Sequence, residues 1–114
     1  MIERKSLLEK LVGFDAKLAI ILPLLRQFGW DSDKTLVILQ REDIVSVLDR
    51  YLKSVLSASD IEQWANAIEG REDIEYEAGH GSTISAAIHE LANPILTASL
   101  TIKNAKKLIG QLQQ

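Results

Sequence analysis

The side chains able to do chemistry gather in one stretch of this chain. Between Ser57 and Gly79 stand seven acids, Asp60, Glu62, Glu69, Glu72, Asp73, Glu75 and Glu77, against a single base, Arg71. Both histidines follow, at His80 and His89, with Ser82 two residues after the first. Carboxylate pairs such as Asp73 with Glu75, or Glu69 with Asp73, are the raw material of general acid–base catalysis. That role needs a cleft and one carboxyl with a raised pKa. Nothing in the pattern supplies a cleft, and a solvated acidic loop is the simpler reading. The histidines have no HExxH or comparable metal-ligand spacing. His89 has Glu90, or an acid of the 72–77 segment, as its expected partner. Ser82 sits in no G-x-S-x-G elbow. The glycines are scattered, so no phosphate-cradling loop forms. Cysteine is absent, which removes disulfides, thiolate metal sites and thiol nucleophiles together. No catalytic, metal-binding or cofactor-binding residue is assigned, and the expectation is a non-enzymatic protein.

The charge distribution says more about partners than about reactions. The net charge of −3 conceals an acidic middle, because residues 1–56 and 80–114 each carry a slight excess of bases. An acidic stretch repels nucleic acid and anionic lipid and attracts a basic protein surface. A helix-turn-helix reading around Ser57 fails on the same ground. Its second helix would carry Asp60, Glu62 and Glu69 and no base, whereas binding to phosphates rests on Lys and Arg. The longest apolar run, Leu18 to Leu25, has eight residues, and a bilayer span needs about 20. The first ten residues lack the uninterrupted apolar core of a secretory signal. The expected location is therefore cytoplasmic, with no membrane partner.

These residues must be positioned by helices. A composition of 46% hydrophobic and 25% charged residues is that of a globular domain and excludes native disorder. The 114 residues fit a single domain, 1–114. Leu7, Leu8, Leu11 and Val12 predict a helix over 2–12 that ends near Gly13. Phe14, Leu18, Ile21, Leu22, Leu25 and Phe28 predict a second over 14–28, kinked at Pro23 and stopped by Gly29. Asp31 to Lys34 reads as a loop. Thr35 to Leu39 is β-prone with no strand in view to pair with, so it is expected to be extended and buried. Ile44, Leu48, Tyr51, Leu52 and Val55 line a helix over 41–56. Ser57 with Asp60 forms a capping pattern for a short helix bearing Ile61, Trp64, Ala65 and Ile68, ended by Gly70. Residues 71–81 show no helical period and read as an irregular loop. Ser82 or Thr83 caps the next helix, which Asn93-Pro94 stops. Thr101 caps the last. The sum is an all-α fold, a compact bundle of five to six short helices with no significant sheet.

Two aromatic positions and one helix bear on assembly. Trp64 reads as core. Tyr76, between Glu75 and Glu77, serves either as an exposed ring bordered by acids, the anatomy of a binding hot spot, or as a loop residue pinned to the core. The helix at 14–28 carries Ala19, Ile20 and Leu24 outside its main apolar stripe. A helix apolar nearly all round needs cover on more than one side, and a second copy of the chain is one way to supply it.

Residues 41–77 also carry a resemblance. Arg41-Glu42-Asp43-Ile44, Leu48, Tyr51-Leu52, Leu56-Ser57-Ala58, Trp64-Ala65, Glu69 and Arg71-Glu72-Asp73-Ile74, continued by Glu90-Leu91-Ala92-Asn93-Pro94, resemble a pattern of small bacterial all-α proteins without an established activity. Within it, Tyr51-Leu52 through Asp60-Ile61 looks like the helix-turn-helix opening of the colicin-D-type immunity proteins. Those are small helical bundles that inhibit a cognate ribonuclease toxin through an acidic surface. About forty N-terminal residues here have no counterpart in them. The resemblance implies an immunity-like, protein-binding role toward a basic partner, with Glu62, Glu69, Glu72, Asp73, Glu75, Tyr76 and Glu77 as the contact residues. The alternative is a homodimeric structural or regulatory subunit, joined through the helix at 14–28.

Overall fold

The computed structural model describes residues 4–28 and 37–114. The expectations placed on residues 2–3, on Gly29, on the loop at 31–34 and on the start of the extended piece at 35–36 lie outside the described residues. Within them the chain runs α1 (Arg4–Gly13), α2 (Leu18–Leu25), a 3-10 turn (Arg26–Phe28), β1 (Val37–Leu39), α3 (Arg41–Leu52), α4 (Ala58–Ile68), β2 (Ile74–Tyr76), α5 (Gly81–Ala92) and α6 (Ile102–Leu112). The fold is all-α, a bundle of six helices around one apolar core, with a two-stranded sheet as its only extended part among the described residues.

Local chemistry explains the helix limits. The Ser57 hydroxyl accepts from the Asp60 amide at 3.1 Å, and the Asp60 carboxylate accepts from the Ser57 amide at 2.9 Å, which satisfies two otherwise orphaned donors at the start of α4. Thr101 does the same for α6 through the Asn104 amide at 3.1 Å. Behind α4, Gly70 takes φ +81, a left-handed turn in which a side chain would be strained. Asn93 closes α5 ahead of Pro94.

Elsewhere the structure corrects the expectations. The second helix does not begin at Phe14. That residue has φ 51 and forms the bend after α1, and the helix starts only at Leu18. Pro23 stays inside α2, exposed, and the chain tightens to a 3-10 turn soon after it. The third helix ends at Leu52 rather than 56, because Ser54 takes φ 63. Val55 is therefore 66% exposed instead of lining the buried face. The fifth helix begins at Gly81, ahead of Ser82 and Thr83, and neither hydroxyl caps it.

The larger correction is the sheet. The segment 71–81 is not wholly irregular, since Ile74–Tyr76 pairs with Val37–Leu39 in parallel, Ile38 opposite Glu75. Parallel strands need a crossover, and α3 with α4 supplies it. The extended piece at 37–39 thus has a partner 37 positions away, where local propensity does not reach. Val37, Leu39 and Ile74 turn inward, while Ile38 and Glu75 face out.

Trp64 occupies the centre, with no accessible surface. Its indole N–H donates to the Leu11 carbonyl at 2.7 Å, and its ring stacks on Phe14 with centroids 6.5 Å apart. Arg50 of α3 closes the same corner by donating to the carbonyls of Gly13 and Phe14 at 2.7 and 3.0 Å. Two elements, α3 and α4, so hold the C-terminal end of α1. Trp64→Phe keeps most of the apolar area but loses the N–H donor. The variant is expected to be less stable by about 1–3 kcal/mol in a urea titration, with no change in helix content by CD.

Candidate functional site

The acidic segment enters the fold in two parts. Asp73 belongs to the interior. It has no accessible surface, and its carboxylate is bracketed by two guanidinium groups. Arg71 donates Nε to Oδ1 at 2.9 Å and Nη2 to Oδ2 at 3.0 Å. Arg4, from α1, places Nε and Nη2 at 2.9 and 2.8 Å from Oδ2. Burial alone would raise the Asp73 pKa, but the hydrogen bonds and charges of Arg71 and then Arg4 outweigh it and hold the carboxyl below its ordinary value. The Asp73 backbone carbonyl in turn accepts from the Val37 amide at 3.3 Å, tying β1 to the same residue. Asp73 is thus withdrawn from the expected partner surface, because its charge is compensated inside the chain.

Two further acids of the expected set serve internal contacts. Glu77 takes the Arg41 amide at 3.0 Å and the Arg41 side chain at 3.2 Å, and these bonds lower its pKa. The same guanidinium reaches the carbonyls of Leu112 and Gln114 at 3.3 and 3.1 Å, so it joins α3, β2 and the end of α6. Glu69, at the end of α4, meets His89 Nδ1 at 2.9 Å and accepts from the Asn93 side-chain Nδ2 at 3.2 Å. The partner of His89 is therefore Glu69, and neither Glu90 nor an acid of the 72–77 segment. Tyr76 is half-buried against the core, so of its two readings the pinned one holds. Burial, with the Glu69 charge nearby, pushes its phenol pKa up.

Glu72 and Glu75 remain outside. Both are exposed, and neither forms an ion pair among the described residues. Glu62 is half-buried on α4, one helix face away from the capping Asp60. Glu75 shares the outer face of the sheet with Ile38, which lies directly across the ladder and is 51% exposed, and Glu72 stands two residues ahead of β2; the two exposed acids form the acidic edge of the segment. Ile38 was missing from the sequence reading, since its exposure follows from a strand pairing that local pattern does not reveal. Also missed was the turn after α5, where Ile95 and Leu96 are 98% and 77% exposed. A signal for them existed: the two aliphatics fall between the Asn93-Pro94 stop and the Thr101 cap, outside any helical period.

Every buried side-chain nitrogen and oxygen among the described residues has a hydrogen-bond partner. No group of three or more His, Asp or Glu among them is arranged to hold a metal ion. None of their helices is long and apolar enough to cross a membrane. No protein-family model, curated protein or solved structure matches the chain.

The depressed pKa of Asp73 fixes the sign of an acid dependence. A carboxyl whose folded pKa lies below its unfolded one contributes stability above the unfolded value and loses it as pH falls through the folded one. Asp43, whose pKa is raised chiefly by burial, works in the opposite sense. Asp73→Asn leaves two guanidinium groups around a neutral amide and is expected to cost about 3–5 kcal/mol at pH 7. The wild-type advantage over this variant should be full at neutral pH and shrink as pH falls below about 4. Paired urea titrations across that range check both the size and the slope.

Proposed function

We propose that this chain is a non-enzymatic protein-binding module that meets a partner with a basic surface, in the manner of an immunity protein set against a nuclease toxin. The observation that supports the reading is the division of the acidic segment. Asp73, Glu77 and Glu69 are engaged within the fold, whereas Glu72 and Glu75 stand exposed, Glu75 directly across the ladder from the exposed Ile38. A fixed scaffold then presents one carboxylate and one aliphatic side chain on the outer face of a short sheet, with a second carboxylate just ahead of its strand. Such a surface steers a cationic partner in and gives it an apolar contact once docked.

Charge reversal at Glu72 and Glu75 tests this reading. Including Asp73 would test folding instead, because that carboxylate is buried. The double variant Glu72→Lys, Glu75→Lys is expected to keep the wild-type CD spectrum and melting temperature. It should lose affinity for the partner cross-linked by the wild type in source cells by at least about tenfold. The wild-type complex should also weaken as salt is raised. Retention of the same partner with the same salt dependence would sink the reading.

A second reading, a homodimeric structural or regulatory subunit joined through α2, draws on one observation. Ile20 is 60% exposed and Phe28 38%, although Leu18, Ile21 and Leu25 of the same segment are buried against the bundle. On that reading, light scattering at micromolar concentration gives twice the chain mass, and Ile20→Glu returns it to that of one chain. A wild-type mass of one chain removes the idea.

A further inference from the structure

Ile95 and Leu96 are the two most exposed large hydrophobic side chains among the described residues, at 98% and 77%. They do not ride on a slack loop. The amides of Leu96 and Thr97 both donate to the Asn93 carbonyl at 3.0 Å. The Thr97 hydroxyl, by rotation, can serve the carbonyls of Asn93 at 2.9 Å and Glu90 at 3.0 Å. Pro94 fixes its own φ at the start of the turn. Further along, the Tyr51 hydroxyl donates to the Leu100 carbonyl at 3.4 Å and ties the segment to α3. The turn therefore projects two aliphatic side chains into water from an anchored backbone.

The turn also borders a groove. Pro94 and Ala98, on either side of the two aliphatics in sequence, line a depression of about 240 Å³ together with Leu91, Leu100, Glu62 and Glu90. No Lys or Arg lines it, and neither Glu62 nor Glu90 forms an ion pair among the described residues. A second depression, beside the N-terminus of α4, holds Val55 and Ile102, which are 66% and 60% exposed. This end of the bundle thus combines projecting aliphatics, an apolar floor and two uncompensated carboxylates.

We infer that the groove between α4 and the turn after α5 docks an amphipathic cationic segment of a protein partner. Aliphatic side chains of the segment pack on Ile95, Leu96 and the Leu91–Leu100 floor, and its Lys or Arg side chains meet Glu62 and Glu90. The charges select this occupant. An acidic segment is repelled, and a second copy of the groove, related by a two-fold axis, would set carboxylates against carboxylates. The inference rests on the binding-module reading and gives the partner segment its chemistry, using elements other than those that carry Glu72 and Glu75.

The test uses the full chain, labelled with nitrogen-15, and three synthetic peptides of equal length. One is an amphipathic Leu/Lys helix, one its Leu/Glu counterpart, and one a Ser/Lys chain with the same charge. The Leu/Lys peptide is expected to shift the amides of Ser59, Glu62, Leu91, Ile95, Leu96 and Leu100 in a saturable way, and the other two are not. Ile95→Ser with Leu96→Ser, both at exposed positions, should weaken this binding at least about tenfold. Glu62→Gln with Glu90→Gln should remove most of its salt dependence. Equal binding of the Ser/Lys peptide would overturn the inference by showing that charge alone suffices. Shifts confined to Ile38, Glu72 and Glu75 would overturn the groove while favouring the acidic edge. No saturable shift at any residue would overturn the groove and leave the edge to its own partner-loss experiment.

Discussion

The fold depends on one buried charge. Asp73 carries a full negative charge with no accessible surface, and such a group is tolerated only when its partners are close and oriented. One partner, Arg71, lies in the same segment just after α4, and the other, Arg4, comes from the start of α1. The carbonyl of the same residue accepts from Val37, so β1 is bound there too. Three parts of the chain, α1, β1 and the segment after α4, therefore converge on one side chain and its backbone. If any of them shifts, the carboxylate loses donors in a place that water does not reach. Burial of such a cluster adds little net stability compared with apolar packing, but it penalises every arrangement that fails to form it.

Around that point the apolar core supplies the bulk of the stabilisation. Trp64, Ile61 and Ile68 from α4, Ile84 and Ile88 from α5, Ile44 and Leu48 from α3 and Leu8 and Leu11 from α1 are sealed from solvent. Each such side chain contributes about 1.5–3 kcal/mol by leaving water. The N-terminal pair of helices packs on this core rather than standing apart, with α1 touching α3, α4 and β1, and α2 touching α4. Its exposed Ile20 then stands with Ala19 and Pro23 on the outer side of a helix whose Leu18, Ile21 and Leu25 are covered.

What could be read from the sequence was local. Ser57 and Thr101 announce helix starts, and Gly70 and Asn93-Pro94 announce stops, because capping and backbone geometry act over three or four residues. The buried face of α4, with Ile61, Trp64, Ala65 and Ile68, follows from its 3.6-residue period for the same reason, whereas Ile102, read from the period of α6 as facing inward, is 60% exposed in its first turn. The failures share the opposite cause. Pairing Ile38 with Glu75 is a tertiary event, and neither segment signals the other. Asp73 looked like its acidic neighbours because the residue that distinguishes it, Arg4, lies 69 positions away. Val55 fitted a helical period but fell beyond the turn that Ser54 makes with φ 63, and a serine gives no warning of that conformation. In the candidate site, composition located the acidic segment, but it did not tell which of its carboxylates face inward.

The segment after α4 therefore carries two kinds of position in alternation. Arg71, Asp73 and Ile74 are held inside by the ion cluster and the core, while Glu72 and Glu75 between and beyond them are exposed and form no ion pair among the described residues. Exchange at the outer positions leaves every internal hydrogen bond of the segment in place, whereas exchange at the inner ones removes it. Over evolutionary time a chain built this way can change the lettering of its rim while its frame stays fixed. Descendants that fold alike are then free to diverge in whom they recognise, by one or two substitutions that their stability does not register.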